Sequence, residues 1–339
     1  MRPVIIRLAV AASAALVVAC GAAPEAAFAD EAANRQSVGG AQGPSDAASP
    51  WEASVLRARR AEAAPPPERD ASALVREIQN AKDGAVVVVP SGTYALADLK
   101  IRRSITIRGE GDVHFAAARR LEKGVLNPLP GVSLRVENVV FRNATSYDQN
   151  GAGVRHDGAD LAVVDCVFVD NENGILSTGA DDGRIRIERS TFLRNGYGDG
   201  YSHGIYVVRA RSVSVIDSAF VGTRVGHHVK SLAGETQVRG TLLDDAQGEG
   251  SYAVDTSRGG VVSIVDNTVI QNRSAGNYTI FNYDTSRGGE AARIEIRGNR
   301  IVNRRSGATL LRNAAAAAVT MEDNEIVNEA GGTLERERR

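Results

Sequence analysis

One short motif, written eight times, governs what this chain can fold into. It starts as Val-Glu-Asn-Val-Val-Phe-Arg-Asn at 136–143 and is still legible as Met-Glu-Asp-Asn-Glu-Ile-Val-Asn at 321–328. Its apolar column is Phe141, Phe168, Phe192, Phe220, Leu243, Ile270, Ile301 and Ile326. The mean spacing of about 26 residues lies in the range of solenoids, whose repeats bury a core only by stacking on one another. Asn follows the column at Asn143, Asn171, Asn195, Asn272, Asn303 and Asn328, a residue that tolerates the left-handed turn and can bond its equivalent one coil away. Short strands of β-branched residues alternate with polar ones, and neither the Leu-rich consensus nor the helices of leucine-rich repeats are present. The repeat therefore predicts an all-β solenoid, a right-handed parallel β-helix, over residues 71–330.

The stretch before the repeat reads differently. Arg2 and Arg7 precede an apolar run from Leu8 to Ala19, too short to span a bilayer and typical of an export signal over residues 1–20. Val17-Val18-Ala19-Cys20 has the form of a lipobox, which makes Cys20 the lipidation site; cleavage after Ala29, behind Ala27-Phe28-Ala29, is the alternative. Residues 21–70 are rich in Ala and Pro without an apolar period and predict a disordered tether. A short capping helix is expected from Ala71 to Ala81, with Leu74, Val75 and Ile78 on one side, then a strand over Ala85 to Pro90. Residues 331–339 form a charged tail. These features predict an exported protein, either a periplasmic or outer-membrane lipoprotein or a secreted one, touching a membrane only through a lipid anchor. A monomer is expected.

The net charge of −1 provides no field that would draw the chain to nucleic acid. The remaining cysteine, Cys166, lacks a partner for a disulfide and reads as a small buried residue of the stack.

A second strand follows each Asn turn, with Val154, Ile175, Ile205, Val229, Val254, Ile280 and Leu310 as its inward column. Strand side chains alternate faces, so Arg155, Leu176, Tyr206, Lys230, Asp255, Phe281 and Leu311 should point outward. Coils lie about 4.8 Å apart, which puts Tyr206, Lys230 and Asp255 in one touching row and Arg155 about 10 Å from Tyr206. His228 stands two residues before Lys230. Such a row suits β-elimination of a uronic acid polymer, which needs a group to neutralise the sugar carboxylate, a base for the C5 proton and an acid for the departing oxygen. Tyr206 and Lys230 are the proton-transfer candidates, in either order, and Arg155 or His228 the neutralising ones. His203, Asp255, Tyr252, Arg258 and Tyr283 are candidate substrate contacts, since rings stack on pyranose faces and Arg grips carboxylates. Twin segments, Asp255-Thr256-Ser257-Arg258 and Asp284-Thr285-Ser286-Arg287, recur in this region.

The segments Ser202-His203-Gly204-Ile205-Tyr206, Gly226-His227-His228-Val229-Lys230-Ser231 and Ser251-Tyr252-Ala253-Val254-Asp255 resemble the β-helical polysaccharide lyases of the pectate-lyase-like superfamily. The likeness is to the alginate and glucuronan lyases that pair a Tyr with a Lys. It implies cleavage of an acidic polysaccharide by Tyr206 and Lys230, without a cofactor. This sequence departs from that pattern in offering no clear Asn or Gln beside Tyr206.

Other functions fit the scaffold, because one fold hosts many. A glycoside hydrolase of the polygalacturonase-like class needs carboxylates in one groove, and Asp181-Asp182 fall in a turn instead. A calcium-dependent lyase needs several outward acids, where Asp255 stands nearly alone, so no metal is expected. An epimerase shares the first proton abstraction. A non-catalytic polysaccharide-binding surface protein is the alternative from outside enzymology.

Overall fold

The computed structural model describes residues 49–339 apart from Gln247, Thr333 and Arg339. The signal segment, Cys20, the site after Ala29 and most of the tether lie outside the described residues. From Val86 onward the chain winds as a right-handed parallel β-helix. Three strands make each coil, and like strands of successive coils pair in parallel. Two of the three columns merge into a 19-stranded sheet, and the third forms a separate 10-stranded one. Among the described residues no helix is long and apolar enough to cross a membrane.

The corner between the two merged columns sets the register of every coil. One residue there is left-handed: Asn138, Asp165, Arg189, Asp217, Gly240, Asp266, Gly298 and Asp323 have φ between 44° and 66°. Gly, Asn and Asp accept that conformation at low cost. The bend leaves the next backbone N–H without a strand partner, and the side chain one coil further on accepts it. The N–H of Cys166 donates to Ser190 Oγ, that of Ser190 to Ser218 Oγ and that of Ser218 to Thr241 Oγ1. Thr241 N–H then donates to Asn267 Oδ1, Asn267 N–H to Asn299 Oδ1 and Asn299 N–H to Asn324 Oδ1, at 2.9, 2.9 and 3.1 Å.

Two residues past each corner, one side chain always points inward. Phe115 meets Phe141 there edge-on, and Phe141, Phe168, Phe192 and Phe220 stack at centroid steps of 4.8, 4.7 and 4.5 Å. The column continues through Leu243, Val269, Ile301 and Ile326. Val269 thus replaces the expected Ile270, because the corner residue Asn267 fixes the count. The Asn ladder expected after this column is also split. Asn143 is left-handed, but Asp170, Arg194 and Gly222 take that place in the following coils. Side-chain bonds join only Asn171 to Asn195 and Asn303 to Asn328. Cys166 is a corner residue, and burial pushes its thiol up to about 12.

Part of the expected tether is structured. Helix α1 (Glu52–Glu62) lies on the outside of the coil, where Ala58 packs with Val140, Val167, Val169 and Leu193. Ser54 Oγ donates to the Asp217 carbonyl at 2.7 Å, and Arg57 pairs with Asp165 at 2.6 Å. Glu68–Arg69 adds a parallel strand beside Thr93–Tyr94. The apolar outward residues Val140, Val167, Val169 and Leu193 explain the cover, because exposed they would form a hydrophobic patch. Helix α2 (Ser72–Asn80) caps the open end of the core with Leu74 and Ile78, as expected. At the other end, Glu335–Arg338 of the charged tail pairs with Thr309–Asn313 as a last strand.

The corner ladder predicts a measurable cost. Asn299→Ala removes the acceptor for the N–H and Nδ2 of Asn267 and the donors to Ile264 O and Asn324 Oδ1. Leaving buried donors unmatched should lower unfolding stability by about 2–4 kcal/mol, read from urea melts. An Asn299→Ala chain as stable as the parent would mean the ladder is incidental.

Candidate active site

The outer face of the 10-stranded sheet carries the polar row. Strand pairing sets Arg155 beside Leu176, Leu176 beside Tyr206, Tyr206 beside Lys230 and Lys230 beside Asp255, as the alternation predicted. Beyond Asp255 the register differs from expectation. Val254 pairs with Phe281 and Phe281 with Leu311, so both of these are inward. Asn282 and Arg312 take the outward places assigned to Phe281 and Leu311. Both strands are thus shifted by one residue from the expected register, and Ile280 fills the buried bend at the strand entry. The amide missing from the sequence reading is therefore Asn282, beside Asp255 rather than Tyr206.

Lys230 Nζ lies 5.0 Å from the centroid of the Tyr206 ring, a cation–π distance, and 3.7 Å from Asp255 Oδ2. Asp255 is 2% exposed. Its Oδ1 accepts the Ser257 hydroxyl at 2.6 Å and the Asn282 amide at 2.7 Å. Arg312 donates to Asn282 Oδ1 and Asp284 Oδ2 at 2.8 and 3.0 Å, closing the network. Burial lowers the Lys230 pKa, with Asp255 opposing and Arg287 reinforcing. Burial raises that of Tyr206, with Arg287 opposing and Asp255 reinforcing. The lysine is thereby biased toward its neutral form and the phenol toward its protonated one.

A second ladder flanks the row. Asn173 Oδ1 accepts the His203 N–H at 2.8 Å, His203 Nδ1 that of His227 at 3.0 Å, and His227 Nδ1 that of Tyr252 at 3.2 Å. An accepting Nδ1 puts the proton on Nε2, so both rings are neutral. They stack at 4.6 Å with 11° between planes. His203 meets the Tyr206 ring edge-on at 5.2 Å, and His227 Nε2 lies 3.5 Å from Asp255 Oδ2. Tyr252 covers the stack, 4.8 Å from His227. Burial holds His203 well below the usual histidine range and His227 at about 4.

Several expected site residues do other work. His228 occupies the strand-entry position where Gly174 and Gly204 face Phe192 and Phe220. Its ring therefore turns into the core, bonding Thr223 Oγ1 at 2.8 Å and Asp245 Oδ1 at 3.2 Å. It borders a cavity of about 10 Å³ and cannot neutralise a substrate on the outer face. Tyr283 is 1% exposed; its hydroxyl donates to Gly260 O and accepts the Ala292 N–H, pinning a turn rather than stacking on sugar. Arg258 donates to the Gly288 carbonyl at 3.2 Å and braces a loop. Arg155 is in the row, two coils from Tyr206, with Nε 3.4 Å from Asp157. His203 is buried behind Tyr206. Among the described residues no three His, Cys, Asp or Glu side chains converge as metal ligands would.

This architecture defines the class of fold, a right-handed parallel β-helix with a polar row on one face. The family model for the right-handed β-helix region matches residues 130–290. Among solved structures, a point variant of the PL6 family alginate lyase AlyGC aligns with a TM-score of 0.53 at 13% identity, covering 77% of this chain and 39% of that one. AlyGC itself aligns with a TM-score of 0.48 at 13% identity, over 78% and 39%. The chain spans about two fifths of the length of these lyases, and the likeness is one of fold. No curated protein matches it.

The neutral histidines predict acid sensitivity. A histidine with a folded pKa near 4 binds its proton more readily when unfolded, near 6.5, so stability should rise with pH between those values and be level above 6.5. His156, buried and also held at about 4, adds to His227. Each contributes up to about 3 kcal/mol across that window. Melting temperature measured from pH 4 to 8 checks this; a flat profile below 6.5 would contradict it.

Proposed function

We propose that the chain is a polysaccharide lyase that cleaves a uronic-acid-containing polymer by β-elimination, with Tyr206 and Lys230 as its proton-transfer pair. The observation that carries this reading is the Tyr206–Lys230 contact on an outward face, with Lys230 Nζ 5.0 Å from the ring. Burial raises the one pKa and lowers the other. Groups whose environments drive their pKa values apart make an acid and a base.

The directions favour Lys230 as base and Tyr206 as acid. Neutral Lys230 takes the C5 proton, the electron pair left behind forms the C4–C5 double bond, and the C4–O bond breaks. The Tyr206 hydroxyl protonates the departing oxygen. The products are an unsaturated uronate at one new end and a hydroxyl at the other. Asp255, held by Ser257 and Asn282, positions the lysine. A retaining or inverting hydrolase would need two available carboxylates; Asp255 and Asp284 are both engaged by protein donors. The alginate lyases that share the fold support elimination as the reaction class.

The test is ultraviolet absorbance of the unsaturated product on alginate, glucuronan and polygalacturonate. Tyr206→Phe and Lys230→Ala should each lower the rate by about 10²–10⁴-fold while remaining folded. Binding without product on any polymer would leave a polysaccharide-binding protein instead. For pH, a base must be neutral and an acid protonated. Activity should therefore climb as pH rises through the lowered Lys230 pKa and fall as it passes the raised Tyr206 pKa. An optimum on the acid side of neutrality would count against this pair as the acid and base.

A further inference from the structure

The twin Asp-Thr-Ser-Arg segments share a local bond but not a role. In each, the Ser hydroxyl donates to the Asp, Ser257 to Asp255 at 2.6 Å and Ser286 to Asp284 at 2.5 Å. They are not stacked copies. Asp255 pairs with Asn282 and Thr256 with Tyr283, so the second segment begins two residues later in its coil than the first. The first arginine, Arg258, is consumed in holding the Gly288 carbonyl. The second, Arg287, is carried past the strand end, and its backbone N–H donates to Ser257 O at 2.9 Å. That bond brings Arg287 back over the coil of Asp255. Its side chain is exposed and, among the described residues, has no hydrogen-bond or ion-pair partner.

The two carboxylates at this place, Asp255 and Asp284, already have partners, and His203 and His227 are neutral. Asp284 pairs with Arg312 at 3.0 Å and Asp255 lies 3.7 Å from Lys230. Arg287 is a cation left unmatched among the described residues, and its field is felt at both Tyr206 and Lys230. A free guanidinium fork beside an acid–base pair is shaped for a carboxylate.

We propose that Arg287 grips the carboxylate of the uronate being cleaved, the neutralising role that elimination requires. This rests on the lyase reading, and it gives the loop 284–289 a purpose: Arg258 and Ser257 fasten it beside the coil of Asp255.

The experiment uses the full chain with Arg287→Ala and Arg287→Lys, on alginate, glucuronan and polygalacturonate and on their carboxyl-reduced, neutral forms. Both cleavage and gel-shift affinity are followed. Because Arg287 has no protein partner, Arg287→Ala should melt with the parent. Its kcat/KM on the charged polymer should fall on the order of 100-fold, its preference in gel-shift affinity for charged over reduced polymer should vanish, the reduced forms serving for binding alone because they lack the carboxyl group that elimination needs, and Arg287→Lys should recover only part. An Arg287→Ala chain that cuts and binds like the parent overturns the anchor and leaves the elimination reading intact. A parent that binds polyuronate through Arg287 but never cuts it keeps the anchor and removes the elimination. A parent that neither cuts nor binds removes both.

Discussion

A coil that turns sharply between two strands exposes a backbone N–H that no neighbouring strand can reach, and this protein answers it with a side chain from the next coil. Ser190, Ser218, Thr241, Asn267, Asn299 and Asn324 each accept such a bond. A buried N–H left unmatched costs more than an ordinary bond contributes, so the ladder forbids slippage by even one residue. Slippage would move every side chain to the opposite face. Loops between coils can then vary in length while Phe168, Phe192 and Phe220 stay stacked. The site inherits this constancy, since Tyr206 and Lys230 meet only because their coils are in register.

The fold was legible because the same constraint writes a repeat into the sequence. Phe141 to Phe220 and the row from Arg155 to Asp255 could be aligned by counting. Counting failed after that: Val269 holds the place expected of Ile270, and Phe281 points inward where Ile280 was expected. The reliable marker was the corner residue. Asn267 lies two positions before Val269 just as Ser190 lies two before Phe192, and the Asp, Gly or Asn that precedes most corners was in plain view. Helix α1 was hidden by a polar, Ala-rich composition, although the outward Val140, Val167, Val169 and Leu193 called for a cover.

The site was less legible than the fold because its two kinds of residue obey different rules. Tyr206, Lys230 and Asp255 stand on straight strand segments, where alternation holds. His228 stands at the strand entry, where the backbone bends and the Gly174 and Gly204 positions face the rings of the core; alternation there gives the wrong face. Arg287 sits in a loop whose path depends on bonds to Ser257 and from Arg258. No periodicity reports such a path, and the twin segment suggested equivalence with Arg258 where the coil places the two apart.

The histidine ladder bears on the chemistry through what it lacks. Charged imidazoles stacked beside Lys230 would compete for Asp255 and disfavour the ammonium by repulsion alone. Neutral ones act by excluding water, since His203 and His227 are buried and Tyr252 covers them. Exclusion of water penalises both the ammonium of Lys230 and the phenolate of Tyr206, so one wall moves the two pKa values in opposite directions. Asp255 at 3.7 Å pulls Lys230 back toward its charged form. Its pull is limited because Ser257 and Asn282 already donate to that carboxylate. Burial therefore outweighs the ion pair in the direction of the shift, which suits Lys230 to the base's part in the elimination we propose. In that proposal the neutralising cation comes from elsewhere, and Arg287, without a partner among the described residues, is a cation whose charge acts on both Tyr206 and Lys230.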